Sequence, residues 1–201
     1  RVGRLQYLII ALVLSGFIVF GRDFILLWAG PEYKEAYFIA IVTLIPLAIP
    51  LIQNTGLSIV TAQNKHQFRS IVYLIIAIVN VVSTYIVVPF LGGFGAALCS
   101  AISYVIGQGI IMNIYYYKIT KLNIPLFWKN IISMSVIPII MIMISLFIAQ
   151  FSPFNSWFKL IIAIIIYTLI YSAGMYIFSM NAYERDVIRQ PLQRVLNKFK
   201  R

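Results

Sequence analysis

NVVSTYIVVPFLGGFGAALCSAISYVIGQG, residues 80–109, joins two apolar runs through Pro89, Gly92, Gly93 and Gly95 without one charged side chain. The first run is expected to end as a helix at Pro89, and the second to begin beyond the glycines. In the second helix Gly95, Cys99, Ser103 and Gly107 recur every four residues, with Gly92, Ala96 and Ser100 alongside. Spacing of four places them on one face. In lipid, a face of small residues lets two helix backbones approach closely, because packing drives association there. The stretch therefore predicts two apolar helices joined by a tight turn, with Gly95, Cys99, Ser103 and Gly107 as the packing face.

The rest of the chain has the composition this reading requires. Of 201 residues, 62% are hydrophobic and 10% charged, and the mean hydropathy is +0.94. A soluble domain has about 45–50% apolar and about 25% charged residues. The net charge of +11 falls between the apolar runs instead of on a soluble face, which excludes nucleic acid as a partner. A single cysteine, Cys99, excludes an internal disulfide framework, and no Cys/His cluster has metal-ligand spacing. The bilayer is the expected solvent and the first partner.

Six apolar runs follow one another at 5–20, 36–62, 71–90, 92–117, 131–150 and 160–180. The first can extend toward Trp28, since a spanning helix needs roughly 17–25 residues. The segments before, between and after alternate spans hold all but three of the 16 Lys and Arg, the exceptions being Arg22, Lys34 and Lys159. By the positive-inside rule both termini are expected to be cytoplasmic. The fold class read from the sequence is thus an all-α integral membrane protein, a bundle of six transmembrane helices. Its expected parts are a four-helix unit over 1–117, a trailing helix pair over 118–180 and a basic cytoplasmic tail over 181–201. The apolar residues of that tail fall at helical spacing among basic ones, which suits either a helix on an anionic leaflet or a disordered tail.

Functional residues are sparse. The only charges near a span interior are Arg22 and Asp23, read as an interfacial pair. Pro46 and Pro50, one turn apart, remove two helix hydrogen bonds and predict a bend. Gln53 and Asn54 follow that bend, and broken helices gather at transporter sites. With Asn80 and Gln108 they are the candidates for lining a polar cavity, the alternative being hydrogen bonds between helices. No catalytic triad, carboxylate pair or phosphate loop is present, so neither an enzyme nor a cofactor is expected.

Three stretches resemble one family. Residues 20–34 (FGRDFILLWAGPEYK) look like the "G, then G-x-E-Y" loop of polysaccharide transporters. Residues 61–66 (TAQNKH) resemble the basic loop after their next helix, and 80–97 their "L-I-P-x-x-G-x-x-G-A-A" turn. In that order, over residues 1–117, they are similar to the C-terminal part of lipid-linked oligosaccharide flippases of the multidrug/oligosaccharidyl-lipid/polysaccharide superfamily. The resemblance implies a fragment of a transporter of twelve to fourteen spans in the cell inner (plasma) membrane. Such a protein moves undecaprenyl-diphosphate-linked oligosaccharide repeats from the inner to the outer leaflet during cell-surface polysaccharide biosynthesis. The implied partners are the missing N-terminal transporter half, the lipid-linked oligosaccharide and a polysaccharide polymerase. Alternatives are a drug/cation antiporter of the same superfamily, or a non-transporting membrane scaffold or half-subunit, in which the small-residue face would join copies.

Overall fold

The structure, a computed structural model, describes residues 2–54, 66–151, 154, 156–187, 189 and 190. The expected end of the second run, the 61–65 part of the TAQNKH stretch and the tail beyond Gln190 lie outside the described residues. The described chain is mostly helical, with short turns between elements, in the order α1 (Val2–Trp28), a 3₁₀ turn (Pro31–Tyr33), α2 (Lys34–Ile52), α3 (His66–Tyr104), a π-helical stretch (Val105–Ile111), α4 (Met112–Lys118), α5 (Ile124–Phe151), α6 (Trp157–Gly174) and a second π-helical stretch (Met175–Ser179).

Among the described residues, five helical segments are long and apolar enough to cross a membrane. One of them, Gln67–Lys118, has 52 residues. Straight, it would reach about 78 Å, more than twice a hydrocarbon core of about 30 Å. It does not run straight. Gly92 has φ 56° and ψ −144°, outside helical geometry, inside α3. Beyond it the chain returns along itself: Phe68 stacks on Tyr115 with ring centroids 4.4 Å apart, and Val72 packs with Met112 and Tyr116. Asn80 Nδ2 donates to Ser100 Oγ at 3.4 Å. These pairs lie nearly symmetrically about Gly92, which defines an antiparallel hairpin of two arms, 66–91 and 93–118.

The turn is tighter than the sequence suggests. Pro89 stays inside the helix and does not end it, and of the expected turn glycines only Gly92 leaves helical geometry while Gly93 and Gly95 belong to the second arm. The left-handed region favours glycine because it has no Cβ. Gly92→Ala is expected to cost about 1–3 kcal/mol. Gly93→Ala, whose Cβ would meet only Ile39 Cδ1 at 3.5 Å, is expected to be neutral or stabilising by about 0.5–1 kcal/mol. Equilibrium unfolding of the two variants in mixed micelles checks the contrast between adjacent glycines. A second positive-φ glycine among the described residues, Gly30 at 102°, sits in the 20–34 stretch and turns α1 into α2 through Pro31, a residue suited to the first position of a helical turn.

The core centres on α1. Its buried residues Tyr7, Ala11, Ser15 and Val19, spaced by four, form one inward face. They pack with Ala48 and Ile52 of α2, Ile131 and Met134 of α5, and Leu160, Tyr167 and Tyr171 of α6. Hydroxyls tie each neighbour to α1: Tyr37 donates to Ile18 O at 2.6 Å, Tyr171 to Leu8 O at 3.0 Å, and Tyr7 and Ser135 share a hydrogen bond. The trailing pair α5–α6 therefore shares one core with the first helix. The hairpin packs on the far side of α2, where Gly93 and Gly109 approach Ile39 and Ile49.

The two ends of the bundle differ. At one end a Cβ on Gly3 would meet Phe127 Cε2 at 2.7 Å and Ile52 O at 3.0 Å, and Arg4 pairs with Glu184. Phe68 and Tyr115 meet at the hairpin's open end. At the other end Phe24 packs on Trp157 with centroids 5.8 Å apart and Phe20 on Phe154 at 5.4 Å. The described segments rich in Lys and Arg thus belong to the first end.

Candidate binding cleft

Two of the expected cavity residues share a cleft inside the hairpin. Asn80 and Tyr73 from the first arm face Ser100, Ser103, Tyr104 and Gln108 from the second, around a volume of about 400 Å³. Small residues on the second arm hold the gap open at one level and close it at others. A Cβ on Gly107 would overlap Ile76 Cδ1, and one on Gly95 would lie 2.8 Å from Leu91 Cβ and 2.9 Å from Val87 Cγ1. Gly95, Cys99 and Gly107 are buried, and Ser103 is half-buried at the cleft wall. The small-residue face is thus turned toward its own hairpin partner.

The lining carries no charge. Asn80 is positioned by Thr84, which donates to Asn80 Oδ1 at 3.2 Å from one turn ahead. Gln108 lies in the π-helical stretch and is buried. A π-helical turn breaks the regular ladder and is frequent at functional sites. Amides and hydroxyls at such spacing can donate to and accept from a polar uncharged ligand. The Arg69 guanidinium sits 4.5 Å from the Tyr73 ring centroid, bringing a cation to the edge of the cleft.

The other two candidates are elsewhere. α2 is helical through Pro46 and Pro50 and ends at Ile52, where Gln53 N donates to Ile49 O at 3.2 Å. Gln53 does not face the cleft: it is buried and its Nε2 donates to Asn113 Oδ1 at 2.5 Å. Asn54 is exposed and joins neither group. Arg22 is exposed and Asp23 half-buried, about one and a half turns before the end of α1. They are successive residues, which a helix directs to different faces.

Asn113, a polar residue within the fourth apolar run, is not among the four cavity candidates, yet it makes the most contacts. Its Oδ1 also accepts from Trp128 Nε1 at 3.2 Å. Its Nδ2 donates to Gln108 O at 3.0 Å and Gly109 O at 2.7 Å, carbonyls of the π-helical stretch. One amide therefore joins α2, the hairpin and α5, and its contact with Gln108 connects this knot to the cleft. Among the described residues no group of His, Cys, Asp or Glu is arranged to hold a metal ion.

Together these features define an all-helical protein with several helices able to cross a membrane and an uncharged polar cleft between two of them. Compared with family models, curated proteins and solved structures, the chain matches none.

Proposed function

We propose that this chain is the C-terminal bundle of a flippase for lipid-linked oligosaccharides. In this reading six helices cross the plasma membrane, the two hairpin arms counting separately, and both chain ends are cytoplasmic. The transporter is completed by a second, upstream bundle, and a polysaccharide polymerase receives the product. The observation that carries the reading is the cleft of Asn80, Ser100, Ser103 and Gln108. Sugar hydroxyls donate and accept at once, as amide and hydroxyl groups do, and each such hydrogen bond contributes about 0.5–1.5 kcal/mol. A drug/cation antiporter of the same superfamily would carry its acidic residues in that upstream bundle. Arg69 beside Tyr73 offers a partner for the diphosphate. The basic end supports the cytoplasmic assignment through the positive-inside rule.

The test is a translocation assay on the complete transporter, this chain together with its upstream bundle, in proteoliposomes with a fluorescent undecaprenyl-diphosphate-linked oligosaccharide. Asn80→Leu with Gln108→Leu is expected to slow leaflet exchange by about tenfold or more, since each lost hydrogen bond removes about 1 kcal/mol. Exchange at the unaltered rate, at equal protein level, would remove the cleft from the transport path. Translocation of a lipophilic cation in place of the oligosaccharide would favour the antiporter.

A further inference from the structure

A second cavity lies at the basic end, outside the hairpin and independent of the flippase reading. It is a groove of about 850 Å³ between the beginning of α1 and the end of the α6 segment. Ile9 and Leu12 form one wall, Ala173 and Ile177 the other, and Val187 and Arg189 lie at its polar end. Its apolar wall follows α1 from Leu5 to Leu12, about 10 Å of helix rise. An elongated apolar channel ending in a cation suits a chain with an anionic head.

The charges at that end narrow the choice. Glu184 is fully buried and taken by Arg4 at 2.5 Å. Arg185 donates from Nη2 to Ile177 O at 2.9 Å and lies 5.4 Å from the Tyr176 ring centroid, which pins a second cation beside the groove wall. Arg189 is exposed. With Glu184 matched by Arg4, Arg185 and Arg189 stand against Asp186 alone among residues 184–189. The mouth is net positive.

We propose that this groove binds the acyl chain of an anionic phospholipid, with Arg185 and Arg189 holding its phosphate. Basic pockets beside membrane helices recognise acidic head groups in this way, and a zwitterionic lipid lacks the net charge to match. The lipid would cover the seam between α1 and α6, where Ile9 is 68% and Ile177 59% exposed.

The experiment places the chain in nanodiscs containing equal phosphatidylglycerol and phosphatidylcholine, then identifies lipids retained on detergent extraction by native mass spectrometry. Phosphatidylglycerol is expected in excess. Arg189→Glu is expected to reduce that excess by more than fivefold, since loss of the basic residue alone removes roughly 1 kcal/mol and the reversed charge adds repulsion. Ile9→Trp and Ala173→Trp, both at exposed positions, are expected to displace the retained lipid. Arg189→Gln serves as a milder variant and is expected to give an intermediate loss. Equal retention of the two lipids by the unaltered chain overturns the proposal, as does an Arg189→Glu variant that keeps the full preference. A photocrosslinker at Ile177 that captures protein in place of lipid identifies the groove as a protein seat and likewise overturns it.

Discussion

Arg4→Ala is expected to destabilise the protein by about 3–5 kcal/mol, the cost of leaving a buried charge without its partner. The partner is Glu184, fully buried, whose Oε1 lies 2.5 Å from Arg4 Nε. Arg4 Nη2 reaches Glu184 Oε2 at 3.1 Å and Ser179 O at 3.0 Å. Two parallel bonds to a carboxylate make a fork that only arginine supplies. Arg4→Lys is accordingly expected to recover only part of the loss. Glu184 has a second duty: its Oε2 accepts from Asn181 N at 3.0 Å while Asn181 Oδ1 accepts from Glu184 N at 3.0 Å. This is the reciprocal arrangement of a capping box with asparagine at the cap. The pair thus fixes the helical turn at 182–187 against the start of α1. Replacing both partners, as Arg4→Met with Glu184→Gln, is expected to be less damaging than Arg4→Ala alone, because no charge is then stranded. Unfolding curves in mixed micelles give the ordering. An Arg4→Ala loss below about 1 kcal/mol would mean that water reaches Glu184 and the pair behaves as a surface bridge.

What the sequence made legible follows the physics of lipid. Long apolar runs, glycines at turns and the alternation of basic segments are all visible without a structure, because a bilayer permits few alternatives to helices. Gly92 and Gly30 were both within stretches singled out as turns. Which face of each helix meets protein was far less visible. In water, the polar face of an amphipathic helix marks solvent; here Ile, Leu and Val cover exposed and buried sides alike. α1 therefore looked like any other run, although Tyr7, Ala11, Ser15 and Val19 carry the same four-residue spacing that identified the second hairpin arm. The asparagine and glutamate at 181 and 184 form a capping signal that was present in the sequence but overshadowed by the basic tail. Gln53 stands out in the sequence for its polar chemistry, but its partner stands sixty residues away, and no local spacing encodes such a pair. Sequence order also hid the sharing of one core by α1 and α6.

Asn113→Leu is expected to cost about 2–4 kcal/mol, more than the average of about 0.6 kcal/mol for a hydrogen bond between membrane helices. The difference lies in what the substitution leaves behind. Asn113 Oδ1 accepts from both Gln53 Nε2 and Trp128 Nε1, and Asn113 Nδ2 donates to two carbonyls of the π-helical stretch. Leucine removes all four partners at once, and Gln53, buried at 7% exposure, has no route to water in compensation. Gln53 Oε1 is already buried without a hydrogen-bond partner, so the side chain would retain neither of its polar ends satisfied. Asn113→Asp separates the two halves of the knot. It keeps acceptors for Gln53 and Trp128 but turns a carboxylate toward the carbonyls of Gln108 and Gly109, where repulsion replaces two bonds. Gln53→Leu, which removes one donor and its unpartnered oxygen together, is expected to be milder than either. A double-mutant cycle between positions 53 and 113 measures the coupling. Because the Asn113 amide holds the carbonyl of Gln108, the Asn113→Leu variant is also expected to loosen the cleft. Accelerated amide hydrogen exchange across Val105–Ile111 would register that loosening, whereas unchanged protection there would confine Asn113 to joining α2 and α5.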